Sequence, residues 1–261
     1  MYKRQRLLSL GRQAVIAVAA DAGAQGAGAF DAAWRRILVT RQVNVKTATP
    51  PQTLKDGSLR LTTLGGTPDS FDVVARGDWN TTFPLAAVSS DGLMPDELVM
   101  DLAAAPGASS TRPVASVFWN GILLAAKQLD ANGKPERLTA RVPGYALGVT
   151  NAVRVTFQRQ PVSVDCNEIP QGYPVNVLPT SYVKPGKAQP DGTFVGLLPL
   201  LAGNPQLIIP DSYLADAPDN IKRVIGIASA SGVSATRAEL TVAPAGQAVK
   251  PGRPFLAMEV T

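Results

Sequence analysis

Two carboxylates held across a cleft are the machinery of glycoside hydrolysis. Three acid pairs lie close enough in sequence to be weighed for it: Asp96 with Glu97, Asp165 with Glu168, and Asp211 with Asp216. Each also has a plainer role as a turn, a helix cap or a solvated loop, so the expectation is a chain without catalytic residues. The chain has His 0 and Cys 1. Lack of histidine removes the commonest general base and metal ligand, and excludes every Ser-His or Cys-His relay built within this chain. Cys166 lies in DCNEIP, beside acids that discourage a thiolate, and cannot form a disulfide within the chain. Pairing with a residue outside it stays open.

Phosphate chemistry has two places to look. The GAQGAG stretch, with Gly23, Gly26 and Gly28, follows an apolar run as a phosphate-binding loop would, but the spacing is not G-x-G-x-x-G, and it reads as a flexible connection. The loop at 210–218 carries Asp211 and Asp216 and would repel a phosphate. No cofactor and no metal are expected. Glucan contact needs instead aromatic ring faces on which sugar C–H faces can stack. The aromatic residues to weigh are Trp79, Phe83, Phe118, Trp119, Tyr145, Phe157, Tyr173 and Tyr182. Trp119, Phe157 and Phe83 read as core; Trp79 at a strand start, Tyr145 in a loop and Phe118 on the face opposite Trp119 are the glucan-contact candidates.

The elements that must position these residues centre on RPVASVFWNGILLAAKQL. Two apolar runs flank Asn120-Gly121, the pair that best tolerates the positive φ angles of a type I′ turn. A two-residue turn sets Trp119 opposite Ile122, Val117 opposite Leu124 and Ala115 opposite Ala126, with Phe118–Leu123 and Ser116–Ala125 on the other face. Together with the two strands of this hairpin, alternating runs around Leu59, Phe71, Trp79, Leu98, Leu138, Val153 and Tyr173 give roughly eight or nine strands, a normal density for an antiparallel sandwich or jelly roll.

Composition agrees. Hydrophobic content of 45%, mean hydropathy of +0.06, Gly 23 and Pro 22 describe a globular, turn-rich chain of 261 residues, long enough for one large or two small cores. Net charge is +5 with a pI near 9.5, but the basic residues are scattered apart from Lys3-Arg4-Gln5-Arg6. That is surface solvation, and no nucleic acid partner is expected.

The hydrophobic period changes at two Thr/Ala- or Lys/Pro/Gly-rich stretches, residues 46–51 and 184–191, which divides the chain at 1–49, 50–183 and 184–261. In 1–49, MYKRQ (residues 1–5) reads as the translated scar of a sequencing adapter, and a signal peptide is the alternative reading of the start. Gly11-Arg12-Gln13 interrupts the apolar run, so residues 14–19 read as a buried strand and 29–38 as a helix, the remnant of an α/β domain. In 184–261, 206–209 reads as a strand. Asp216 can cap a helix with Pro218 in its first turn, Gly232 stops it, and strands follow at 239–242 and 255–260, a β-α-β unit.

The hairpin, the segment VPGYALGVTNAVRVTF, the lone Cys in DCNEIP, VLPTSYV before a new domain, and GSLRLTTLG at the entry to the β domain together resemble the periplasmic B subunit of bacterial cellulose synthase, the BcsB family. The resemblance implies a jelly-roll carbohydrate-binding-like domain flanked by flavodoxin-like α/β pieces. It implies a non-catalytic subunit, periplasmic and inner-membrane associated through a C-terminal anchor outside this sequence. Its partners would be the catalytic synthase subunit and the nascent β-1,4-glucan, with cyclic-di-GMP-linked regulation at family level, although no Arg-rich cluster here resembles a dinucleotide site. The alternatives are a secreted carbohydrate-active enzyme with a β-sandwich module and an adhesin-type structural sandwich.

Overall fold

The computed structural model describes residues 3–10, 13–18, 42–45, 54–89, 93–106, 112–160, 171–187, 192–234, 237–244 and 248–258. The expected helix at 29–38, the glycines of GAQGAG, the 46–51 linker and Cys166 lie outside them. Strands β1 (Lys3–Leu10), β2 (Gln13–Val18) and β3 (Gln42–Val45) form a three-stranded sheet in the order β2-β1-β3. Both pairings are antiparallel, and Leu10 pairs with Gln13. Residues 11–12, read above as an interruption of the apolar run, lie outside the described residues.

The body of the molecule is an antiparallel β-sandwich. One sheet has the order β6-β11-β8-β9, from β6 (Arg76–Pro84), β8 (Val114–Trp119), β9 (Ile122–Gln128) and β11 (Thr150–Gln158). The other is built around the long strand β7 (Leu93–Ala104), which pairs with β10 (Glu136–Arg141) along residues 97–102. It pairs also with β13 (Tyr182–Lys187) along 93–99 and with β12 (Tyr173–Val177) along 102–104. Since β12 and β13 take consecutive stretches of β7, they share one of its edges and β10 holds the other. Short strands β4 (Leu59–Arg60) and β5 (Phe71–Val73) extend this sheet beyond β13 and β12. β13 runs on to Lys187, past the boundary expected at Val183.

Asn120 and Gly121 take φ of 48° and 83°, as a type I′ turn demands. Trp119 pairs with Ile122 and Phe118 with Leu123, as read from the sequence, but Val117 then pairs with Ala125. A bulge at Leu124 shifts the remaining pairs by one residue, so Ser116 meets Ala126 and Ala115 meets Lys127. The core face survives because the bulge lies beyond the first two pairs: Ala115, Val117 and Trp119 are buried, with Leu98, Met100 and Leu102 of β7 in the same cluster. Two edge-to-face ring pairs knit it, Phe83 with Trp119 at 5.6 Å and Phe71 with Phe157 at 5.7 Å.

Strand β7 is buried on both faces along its centre, and the acid there is paired. Arg137, directly opposite Asp101, donates from Nε at 2.8 Å and from Nη2 at 2.9 Å. These hydrogen bonds, against the opposing effect of burial and with help from Thr180, hold the Asp101 carboxyl below its ordinary value of 3.8. A carboxylate whose pKa falls on folding stabilises above that ordinary value, and the stabilisation is lost as pH falls through the folded value. Asp101→Asn should therefore lower stability at neutral pH and flatten its decline below about pH 4. Urea midpoints from about pH 2.5 to 7 check this; parallel curves for the two proteins would refute it.

After the sandwich come α1 (Phe194–Ala202), β14 (Gln206–Pro210), α2 (Ala217–Ala230), β15 (Glu239–Ala243) and β16 (Phe255–Ala257). Strand β14 lies between β15 and β16, parallel to both. The β-α-β reading matches this unit, and Pro218 stands in the first turn of α2. Its small core holds Ile209, Tyr213, Val224 and Met258. Helix α1 has no counterpart in the sequence reading. Thr193 caps it, accepting from the Gly196 amide at 3.1 Å, and it packs through Leu198, Pro199 and Ala202 on the sandwich.

Candidate functional site

Trp79, expected to be exposed, is only 5% exposed. Along β6 the residues Trp79, Thr81 and Phe83 alternate inward with Asp78, Asn80 and Thr82 pointing out, so Trp79 shares the core face of Phe83. Its indole lies against Gly66, where a Cβ would stand 2.7 Å from the ring. The indole N–H donates to the Thr67 carbonyl at 2.7 Å. A ring edge-locked and covered in this way is a packing residue and offers no face to a sugar.

Phe118 does reach the outer face of its sheet, in the cross-strand row Asn80–Arg154–Phe118–Leu123. The ring, however, is half-buried, and the Arg154 guanidinium sits over it at 4.4 Å from its centroid. The cation already covers one face of the ring. Beside this row Asp78 pairs with Arg76 at 3.4 Å. The Thr156 side chain, followed by the charge of Arg76, holds the Asp78 carboxyl below its ordinary value.

Tyr145 is the candidate the structure leaves free, at 76% exposure. It is the middle residue of a 3₁₀ turn, Gly144–Ala146, led in by Pro143. The turn is fastened from below. Asn120 Nδ2 donates to the Ala146 carbonyl at 2.8 Å and to Asn151 Oδ1 at 3.0 Å, while Asn120 Oδ1 accepts from the Ala152 amide at 2.7 Å. Asn151, fully buried, also accepts from the Trp119 indole at 3.0 Å and the Gly148 amide at 2.9 Å, and donates to the Gly148 carbonyl at 2.7 Å. The type I′ turn thus does more than reverse the chain, because the asparagine that suits positive φ also pins the loop that presents Tyr145. Ala146 and Leu147 are buried beneath it. The arrangement offers a ring held out on a rigid base with its hydroxyl in water, suited to stacking on an apolar face.

The remaining sequence candidates do not converge. Asp96 faces Arg141 at 3.7 Å, and Glu97 stands opposite Arg141 in the β7–β10 ladder. Asp211 opens a 3₁₀ turn and Asp216 precedes α2, while Asp165 and Glu168 lie outside the described residues. Among the described residues no group of three or more Cys, Asp or Glu side chains could hold a metal. Nor is any helix among them long and apolar enough to cross a membrane. The residue that sequence reading passed over is Phe194, the first of α1 and 90% exposed. Its signal was present, an aromatic directly after a capping Thr, but the apolar run FVGLLPLLA hid the helix.

No family model matches the sequence, and no characterised protein matches it in sequence. Among solved structures, dimeric latent PorU from Porphyromonas gingivalis is similar at 15% identity and a TM-score of 0.30, over 55% of this chain and 13% of that one. The C-terminal domain of EclA, a sugar-binding protein, is similar at 11% identity and a TM-score of 0.29, over 42% of this chain and 75% of that one. The acetyl xylan esterase Est2A from the rumen bacterium Butyrivibrio proteoclasticus is similar at 12% identity and a TM-score of 0.25, over 60% of this chain and 34% of that one.

Proposed function

We propose that the chain is a non-catalytic, glucan-contacting part of a periplasmic subunit of bacterial cellulose synthase, with a jelly-roll carbohydrate-binding-like domain between α/β pieces. It would associate with the catalytic synthase subunit at the inner membrane and guide the nascent β-1,4-glucan outward. The sequence resemblance supports this through VPGYALGVTNAVRVTF, the segment that contains both Tyr145 and the Asn151 that braces its loop. The observation that carries the reading is Tyr145 itself, an exposed ring on a turn fixed by side-chain hydrogen bonds. Exposed aromatics on such rigid supports bind with little ordering cost, because the ring is already held where the ligand meets it.

Calorimetric titration of the chain with cellohexaose tests it. Tyr145→Ala should weaken binding roughly tenfold, the loss of one stacking contact, and leave unfolding free energy within about 0.5 kcal/mol of the parent, as for other exposed positions. Unchanged affinity in the variant, or no binding by the parent, would end the proposal.

A further inference from the structure

Tyr145 and Phe194 are the two most exposed large apolar side chains among the described residues, and the elements that carry them pack against each other. Helix α1 contacts the Gly144–Ala146 turn; its Pro199 and Ala202 are buried, while Phe194 and Leu197 stay exposed. Both rings are held by built structure. The Tyr145 turn is bound to Asn120, while Thr193 caps the α1 N-terminus and Arg237 fastens its C-terminal carbonyls. Both rings also have room beside them. Gly144 and Gly192, which closely precede them in sequence, each face space in which an added Cβ would meet nothing within 4 Å.

The two segments themselves are uncharged, although Arg141 and Asp191 flank them in sequence and Arg237 binds the α1 C-terminal carbonyls. Residues 142–153 and 192–206 contain no Lys, Arg, Asp or Glu. An anionic membrane surface or a charged peptide would find no complementary group on either element. A neutral ligand with repeating flat apolar faces and hydroxyl edges matches what is there: two exposed rings and the Tyr145 hydroxyl.

Resting on the proposed glucan contact at Tyr145, we infer that Phe194 is a second stacking platform of the same site, so that the site spans the sandwich and the following unit and takes a neutral, unbranched β-linked glucan long enough to lie on both rings. A ligand bridging two contacts gains its second contact intramolecularly, so affinity must rise with oligosaccharide length and the gain must depend on both rings.

The test titrates the 261-residue chain and its Phe194→Ala, Phe194→Trp and Tyr145→Ala variants with cellotriose and cellohexaose. Phe194→Ala should weaken cellohexaose binding roughly tenfold and change cellotriose binding little, while Phe194→Trp keeps the preference for the longer ligand. If Tyr145→Ala weakens both ligands but Phe194→Ala leaves the ratio of the two affinities untouched, Phe194 is no platform and the Tyr145 reading stands alone. If the parent binds neither ligand, both readings fall together. Should Phe194→Ala leave the affinities unchanged and turn an oligomer into a monomer by light scattering, the exposed ring belongs to a contact between copies and the inference is wrong.

Discussion

Trp119→Ala will cost about 3–5 kcal/mol of unfolding free energy, the range for truncating a large buried aromatic. Trp119 is 0% exposed and packs edge-to-face on Phe83. The void would open between β8 and the long strand β7, whose Leu98, Met100 and Leu102 line the same core and are held by neighbours on both edges. Such walls relax little, which keeps the cost at the upper part of the range. Trp119→Phe separates the hydrogen bond from the volume. Asn151 Oδ1 would lose the indole donor but keep those of Asn120 and Gly148, so the loss from this bond should be about 1 kcal/mol. Guanidinium unfolding of the parent and both variants measures this. A Trp119→Ala variant as stable as the parent would mean that the hairpin faces are reversed.

What was legible in the sequence was local. Asn120-Gly121 named the turn, and the turn fixed the two pairs next to it, so Trp119 could be placed inward and Phe118 outward without other information. The bulge at Leu124 was not legible, since ILLAAK offers apolar residues at nearly every position that either register would fill. Trp79 failed for a different reason. Its parity with Phe83 is readable from β6, but a position near a strand start suggests exposure, and the cover comes from Gly66 and Thr67 on a loop whose path no pattern encodes.

The other gaps follow from cues that point two ways. FVGLLPLLA has Pro199 within the helix and no polar residue to set a period, so neither template fits it until the sandwich surface that buries one side is known. At the site, exposure of Tyr145 could be guessed from its loop. Its rigidity could not, because the bonds joining Asn120 to Ala146 and Asn151 cross from one hairpin to another loop.

Arg237 was invisible for the same reason, and its replacement by alanine is expected to cost about 2–4 kcal/mol, from several charge-assisted hydrogen bonds lost and acceptors left unsatisfied. From Nε it donates to the Gly203 carbonyl at 3.1 Å; from Nη2 it donates to the carbonyls of Ala202 and Ser89, each at 2.7 Å, and to that of Ala86. Ala202 and Gly203 end α1, where helix carbonyls lack partners within the helix and carry the negative end of its dipole. Ala86 and Ser89 belong to the turn after β6, so one guanidinium ties the sandwich to the unit that follows it. Lysine cannot replace it, because a single ammonium lacks the planar fork that meets several acceptors at once, and Arg237→Lys should recover less than half of the loss. The unit beyond α1 has a small core of its own, whereas α1 depends on the sandwich, so the damage should be local first. Hydrogen exchange should quicken in α1 and in the Leu85–Ala87 turn of Arg237→Ala well before it does in β8 or β11. Uniform quickening across the sandwich strands, or none in α1, would show that Arg237 does not hold the two parts together.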